Sequence, residues 1–241
     1  MALPKIGVPY YSLKLVSGKT IQFRPFTVKE EKILLLANES KNQKNISNAI
    51  KNVLNSCVMQ EEGSNPNRVE EMAVFDVELL FLHIRMKSVS EYSEFKYKCE
   101  ECEGTPEIST RLDLRNIVIE NNDKKKENKF MLTKEVGIEL CYPPFKVLLE
   151  NENSSKEENP FSALEIIKNC IVSVFDSNQV YNRKDFTDTD LNEFIDSLTQ
   201  EQLMKINSFF EDMPKLTYNL EVECPCGVVS KKKLSGISDF F

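Results

Sequence analysis

Histidine, glycine and long apolar runs are all scarce in this chain of 241 residues, and each scarcity excludes a class of function. A single histidine, His83, leaves little material for histidine-based chemistry. The seven glycines include neither a Walker A nor a GxGxxG pattern, so a loop that cradles phosphates is not predicted. Apolar stretches such as residues 79–82 are far shorter than the roughly 20 residues that a membrane-spanning helix needs.

The chain also has no excess of positive charge. It contains 31 basic and 38 acidic residues, and its net charge is −7. Proteins that bind nucleic acid non-specifically are usually basic, so this class is disfavoured. Hydrophobic residues make up 41% of the chain, which is enough for a globular protein with its own core. The first residues lack a basic segment followed by an apolar one, which predicts a soluble intracellular protein without a secretory signal.

Hydrophobic periodicity predicts an α+β fold in which helices pack with antiparallel β-hairpins. Strand-like alternation predicts a hairpin over 10–24, a strand over 90–99 returning through 108–114, strands at 130–132 and 136–142, and a last strand over 216–224 returning through 228–234. Helical spacing predicts helices over 27–37, 46–57, 69–88, 161–175, 188–198 and 199–210. Capping boxes at Thr27 and Thr199 mark the first turns of two of these helices.

The predicted elements form one composite α+β domain over residues 1–241, without an internal repeat. A charged loop at 120–128 leaves open a second arrangement, with lobes at 1–119 and 129–241. The single domain is favoured because two cysteine-tipped hairpins, near residues 100 and 225, make most sense if they meet.

Four of the seven cysteines stand at the tips of these two hairpins: Cys99, Cys102, Cys224 and Cys226. Tight turns aim backbone N–H groups at thiolates, and two such turns can supply the tetrahedral sulfur ligands of a structural zinc ion. The sequence therefore predicts a zinc-ribbon-like site with these four ligands. Two features depart from the usual pattern, because the turns are far apart in the chain and the second has only one residue between its cysteines.

Two alternatives for these cysteines remain open. They could be reduced thiols that merely occupy turns, or they could carry redox chemistry. Redox function is disfavoured, because a redox CxxC motif normally opens a helix whereas Cys99 ends a predicted strand. The remaining cysteines are interpreted as packing residues, since Cys57 and Cys170 lie on apolar helix faces and Cys141 lies in a strand.

No catalytic or cofactor-binding residue is predicted, and the chain is expected not to be an enzyme. His83 lies within the long helix and has no nucleophile elbow near it in the sequence. The segment that begins at Asp176 resembles the start of a calcium loop but lacks its glycine and its final glutamate. Asp185, Asp188 and Asp190 are interpreted as turn and helix-cap residues.

Two regions of the sequence resemble the T-even-type bacteriophage baseplate protein family, which includes a baseplate hub subunit. The most specific part is the Arg24-Pro25-Phe26 stretch, with the helices on either side of residues 38–45. The carboxy-terminal half is also similar, through residues 194–198, 209–214 and 234–241. The resemblance covers most of the chain.

This resemblance implies a non-enzymatic component of the hub of a contractile phage tail, in contact with other hub proteins and the tape-measure protein. It places the protein in the virion tail baseplate, and in the host cytoplasm during assembly. Exposed apolar ends make the hairpin at 10–24 and the Phe240-Phe241 tail candidate docking elements, unless both pack on the protein's own core. The alternative function is a zinc-ribbon module that contacts nucleic acid or a transcription complex. No small-molecule substrate or membrane contact is expected, and the oligomeric state is left open.

Overall fold

A computed structural model describes Pro4 and residues 6–59, 69–99, 107–122, 127–151 and 160–236. Within these residues the fold is α+β and every strand pairing is antiparallel, as the sequence predicts. The strands are β1 (Tyr11–Lys14), β2 (Thr20–Phe23), β3 (Tyr92–Tyr97), β4 (Ile108–Asp113), β5 (Val118–Glu120), β6 (Lys129–Met131), β7 (Gly137–Leu140), β8 (Ile171–Phe175), β9 (Val180–Asn182), β10 (Lys215–Glu223) and β11 (Val229–Ser235). The helices are α1 (Val28–Glu39), α2 (Gln43–Cys57), α3 (Val74–Ser88), α4 (Phe145–Asn151), α5 (Pro160–Cys170), α6 (Asp188–Asp196) and α7 (Gln200–Glu211).

The chain forms two compact units, and we name each by its main feature. The hairpin unit comprises the described residues within 1–69, 75–120 and 214–241. It contains the β1–β2 and β3–β4 hairpins and a three-stranded sheet in the order β11-β10-β5. The sheet unit comprises the described residues within 70–74 and 121–213, and it contains the four-stranded sheet β6-β7-β8-β9.

Helix α3 provides much of the core of the hairpin unit. Its buried apolar residues surround the helix: Phe75, Val77, Leu79, Leu80, Phe81, Leu82 and Ile84. A helix that is apolar on all sides is expected to be enclosed by other elements, so the predicted heavy burial is confirmed. The predicted start at Val69 is wrong, because the helix begins at Val74. Ala73 instead forms an isolated β-bridge with Pro144, which holds the preceding residues out of the helix.

The start of α1 is fixed by a buried ionic network around the predicted capping box. Glu30 accepts hydrogen bonds from the backbone N–H of Thr27 (2.8 Å) and from the Thr27 hydroxyl. Its other carboxylate oxygen accepts from Arg24 Nη2 at 2.9 Å. Arg24 also donates from Nη1 to the carbonyl of Pro25 at 2.9 Å. The Arg-Pro-Phe stretch therefore closes the β2–α1 connection by a charge-assisted network.

The sheet unit packs one face of its sheet against helices α5, α6 and α7. The buried cluster consists of Leu132, Ile138, Leu140, Ile167, Ile171, Leu191, Ile195, Ile206 and Phe209. Tyr142 stacks on Phe209 with ring centroids 4.8 Å apart. The capping boxes at Thr187 and Thr199 open α6 and α7, and the second confirms the box predicted from the sequence.

The prediction of a single helix over 161–175 is wrong for the second part of this segment. Helix α5 ends at Cys170, and Ile171–Phe175 form β8, which pairs with β7 on one side and β9 on the other. The segment contains Ile171, Val172 and Val174, and branched side chains of this kind favour a strand when neighbouring strands are available. The three-residue strands β5 and β9 are additional to the elements that the sequence predicts.

Candidate metal centre

Three of the four predicted zinc ligands lie together in the hairpin unit. Cys99 follows β3 by two residues, Cys224 follows β10 directly, and Cys226 lies in the β10–β11 turn. All three thiol sulfurs are within 4.8 Å of one another. The Sγ atoms of Cys99 and Cys226 are 4.0 Å apart. Cys102, the fourth predicted ligand, lies outside the described residues.

The turn between β10 and β11 places two of these cysteines side by side. Cys224 donates from its N–H to the carbonyl of Val228 at 2.9 Å, and its own carbonyl accepts from Gly227 N–H at 2.8 Å. Gly227 has φ 88°, a left-handed conformation that glycine adopts without steric cost. Pro225 suits the second position of such a turn, because its ring fixes φ near −65°.

The β1–β2 hairpin has the same turn without cysteines. Leu15 donates to Lys19 O at 2.8 Å, and its carbonyl accepts from Gly18 N–H at 3.0 Å. Gly18 also has φ 88°. The turn geometry is thus a local property of the backbone, and only the cysteines distinguish the second hairpin chemically.

Side-chain contacts hold the β3–β4 and β10–β11 hairpins together next to the cysteines. Tyr97 donates from its hydroxyl to Ser230 Oγ at 2.7 Å, across 133 residues of sequence. Lys232 Nζ lies 5.1 Å from the centre of the Tyr97 ring, a cation–π contact. The three thiols are therefore brought together by protein contacts as well as by their own positions in the turns.

The spacing of the thiols fits a tetrahedral zinc ion. With Zn–S bonds of about 2.3 Å, tetrahedral geometry places ligand sulfurs about 3.8 Å apart. The 4.0 Å between Cys99 and Cys226 is close to this value and about twice a disulfide bond. Cys99 and Cys224 are buried and Cys226 is exposed, so the site lies at the protein surface. Three thiolates in this arrangement are compatible with metal binding.

Lysine side chains near the cysteines are paired with carboxylates. On the β10–β11 hairpin, Lys231 binds Glu221 at 2.7 Å. Lys233 binds Glu120 of β5, also at 2.7 Å. These pairs neutralise two of the three lysines of β11, which lowers the positive charge that this surface offers to phosphates.

Of the other described cysteines, Cys57 is a single thiol, whereas Cys141 and Cys170 form a close pair. Cys57 is buried in α2, as predicted, and burial raises the pKa of its thiol to about 11, which keeps it protonated. Cys141 and Cys170, interpreted from the sequence as separate packing residues, are in contact: Cys141 N–H donates to Cys170 O at 2.8 Å. Sequence reasoning missed this contact because it assigned the two residues to different elements. The contact follows from the pairing of β7 with β8, which no local pattern in the sequence reveals.

Asp185 and Asp190 serve as cap residues, as predicted, whereas Asp188 pairs with Arg183 and Asp176 closes a turn. Asp176 accepts from the backbone N–H groups of Asn178 (2.7 Å) and Gln179 (2.9 Å). Asp185 and Asp190 close capping boxes, accepting from Asn182 N–H at 2.8 Å and Thr187 N–H at 2.7 Å respectively. The backbone hydrogen bonds lower the pKa of each of these three carboxyls.

His83 lies half-buried in α3, where burial and then the nearby Lys87 charge lower its pKa. A lowered pKa favours neutral imidazole at physiological pH. No helix among the described segments is both long and apolar enough to cross a membrane.

The sequence model of the family described as "T4 bacteriophage base plate protein" matches residues 8–241. The chain belongs to this family. No curated protein and no solved structure matches it. Family membership identifies a structural protein of the phage baseplate, located in the virion tail and in contact with other baseplate proteins. This confirms the resemblance drawn from the sequence.

Proposed function

We propose that this baseplate protein is a non-enzymatic assembly component of the tail hub in which a structural zinc ion joins two β-hairpins. The observation that supports the proposal is the cluster of Cys99, Cys224 and Cys226, all within 4.8 Å, in a chain of the baseplate family. Cys102 is proposed as the fourth ligand, because it follows Cys99 at the spacing of a zinc knuckle.

A fourth thiolate would close the coordination sphere of the zinc. Closed four-sulfur sites are structural, whereas catalytic zinc sites keep one position open for water. Binding energies at structural zinc sites reach about 10 kcal/mol, and this energy adds to folding stability. Because Cys99 and Cys226 are 127 residues apart, zinc at this site would constrain a large part of the chain.

The proposed partners are other hub proteins and the tape-measure protein, bound through exposed apolar residues of the hairpin unit. Helix α1 exposes Val28 (64%), Leu35 (57%) and Leu36 (67%), and Tyr10 beside β1 is 51% exposed. Apolar side chains grouped in this way are typical of protein interaction surfaces. The Phe240-Phe241 tail, also expected to dock, lies outside the described residues.

Chelation tests the zinc proposal. We expect a strong chelator to lower the melting temperature of the purified protein, and we expect added zinc to restore it. Cys226→Ser should melt at the low temperature with or without chelator. Cys57→Ala is the matched control, because it removes a thiol that is not a member of the cluster and should retain the chelator response. A wild-type melting temperature that chelator leaves unchanged would contradict the proposal.

Affinity purification from phage-infected cells tests the hub assignment. The tagged protein should retain hub or tape-measure proteins, identified by mass spectrometry. Leu35→Glu should reduce this retention, because it places a charge on the apolar surface of α1. Met204→Glu is the control, since Met204 is at least as exposed (67%, against 57% for Leu35) and lies on a helix of the sheet unit. Retention of head proteins alone would refute the hub role.

A further inference from the structure

Cys141 and Cys170 occupy opposed positions at the end of the β7–β8 ladder. Leu140 pairs with Ile171. Because the strands are antiparallel, the residue after Leu140, Cys141, lies opposite the residue before Ile171, Cys170. The backbone hydrogen bond from Cys141 N to Cys170 O, at 2.8 Å, continues the ladder to this position. The two thiols also influence each other, because Cys170 lowers the pKa of Cys141 and Cys141 raises that of Cys170.

We propose that Cys141 and Cys170 form a reversible disulfide when the protein meets a small-molecule disulfide. Opposed residues of an antiparallel ladder have Cα atoms about 4.5–5.5 Å apart. A disulfide requires Cα atoms about 4.4–6.8 Å apart, so the backbone already meets this requirement. The adjacent Leu140–Ile171 pair and the backbone hydrogen bond from Cys141 to Cys170 hold the two residues side by side.

Accessibility assigns a different role to each cysteine. Cys170 is fully buried (0% exposed), whereas Cys141 is only half-buried and is the thiol that a reagent can reach. The hydrogen bond from Cys170 lowers the pKa of the Cys141 thiol, which increases its thiolate fraction. The same hydrogen bond and burial raise the pKa of Cys170. Cys141 is therefore the attacking thiol and Cys170 the resolving thiol.

The reaction balances with one small-molecule disulfide, RSSR. The Cys141 thiolate attacks one sulfur of RSSR, which forms a mixed disulfide and releases RS⁻. The Cys170 thiol then loses its proton and attacks Cys141 Sγ, which forms the Cys141–Cys170 bond and releases the second RS⁻. Two protons and two electrons thus pass from the cysteines to RSSR, giving two RSH.

The disulfide would join the end of β7 to the start of β8 and close a chain segment that contains α4 and α5. Reducing conditions in the host cytosol would keep both thiols free during assembly. A virion released from the cell meets oxidising surroundings, in which disulfides persist. The proposed bond would then stabilise the sheet unit in the finished particle, independently of zinc in the hairpin unit.

Peptide mapping after treatment with oxidised glutathione tests the disulfide. The reduced, full-length protein is treated, the remaining thiols are alkylated, and mass spectrometry assigns each linked pair. We expect a Cys141–Cys170 link that dithiothreitol reverses, together with a rise in melting temperature of about 10 °C. The same peptide map reports oxidation of the cysteines in the candidate metal centre separately. The result for Cys141 and Cys170 therefore does not depend on whether the protein binds zinc.

Single variants test the order of the two steps. Cys170→Ala should stop the reaction at a mixed disulfide on Cys141. Cys141→Ala should leave Cys170 unmodified, because no accessible thiol remains to start the reaction. Cys57→Ala should form the link normally. The proposal is overturned if Cys141 and Cys170 of the folded wild-type protein are both alkylated after treatment, or if glutathione becomes attached to each without a link between them.

Discussion

Replacing Glu30 with glutamine tests whether the Arg24 network stabilises the β2–α1 connection. The Glu30 side chain is 9% exposed and that of Arg24 is 19% exposed, so solvent screens their ion pair only weakly. Burial alone would raise the pKa of Glu30, but hydrogen bonds from Arg24 and Thr27 outweigh it and lower the pKa from 4.5 to about 2. This change corresponds to about 3 kcal/mol of folding stability at neutral pH.

The sign of the pH dependence follows from the lowered pKa. Because the folded protein holds Glu30 ionised, the contribution is complete well above pH 4.5 and is lost as the pH falls from 4.5 towards 2. Denaturant unfolding, followed by circular dichroism, should therefore show Glu30→Gln to be about 3 kcal/mol less stable than wild type at pH 7. The difference should shrink steadily below pH 4.5.

Asp190→Asn is the matched control for this experiment. Asp190 closes the capping box of α6 on an exposed surface, accepting from Thr187 N–H at 2.7 Å. Its removal should have a much smaller effect, because water screens an exposed carboxylate. A loss for Glu30→Gln that is equal at pH 7 and pH 3, or no larger than that of the control, would refute the reasoning.

Four further substitutions give expected outcomes in the same unfolding assay. Gly137→Ala should destabilise the protein by about 1–3 kcal/mol, because the new Cβ would overlap the Phe175 ring that covers this glycine. Leu80→Ala should cost about 2–5 kcal/mol, since the Leu80 side chain is fully buried in α3. Gly227→Ala and Gly18→Ala strain equivalent turns, each with φ 88°, and should each cost about 1 kcal/mol. Only Gly227→Ala should also weaken zinc binding in a titration, and equal zinc affinity for both variants would contradict the assignment of the metal site.

Local signals in the sequence predicted the elements best. The capping boxes at Thr27 and Thr199 depend on residues three positions apart, so the chain itself specifies where α1 and α7 begin. The end of α5 could not be predicted in the same way. Ile171–Phe175 continue a helix-compatible apolar pattern, and β8 forms there because β7 and β9 supply hydrogen-bonding partners from elsewhere in the chain.

The candidate metal centre was partly predictable because its cysteines lie in short local patterns. Two cysteines within one tight turn indicate a ligand pair, and two hairpins with such tips indicate one shared site. The structure brings Cys99, Cys224 and Cys226 together as this reasoning expects. The contact between Cys141 and Cys170 depends instead on strand register beyond the irregularity at Glu139/Leu140, which no local pattern encodes.

Native mass spectrometry of the protein, purified under reducing conditions without chelator, tests the central claim most directly. We predict one zinc ion per wild-type chain. The zinc should be lost from Cys99→Ser and Cys226→Ser and retained by Cys57→Ala. Wild-type protein that carries no zinc, and takes up none when zinc is added, would contradict the proposal that a zinc ion joins the two hairpins.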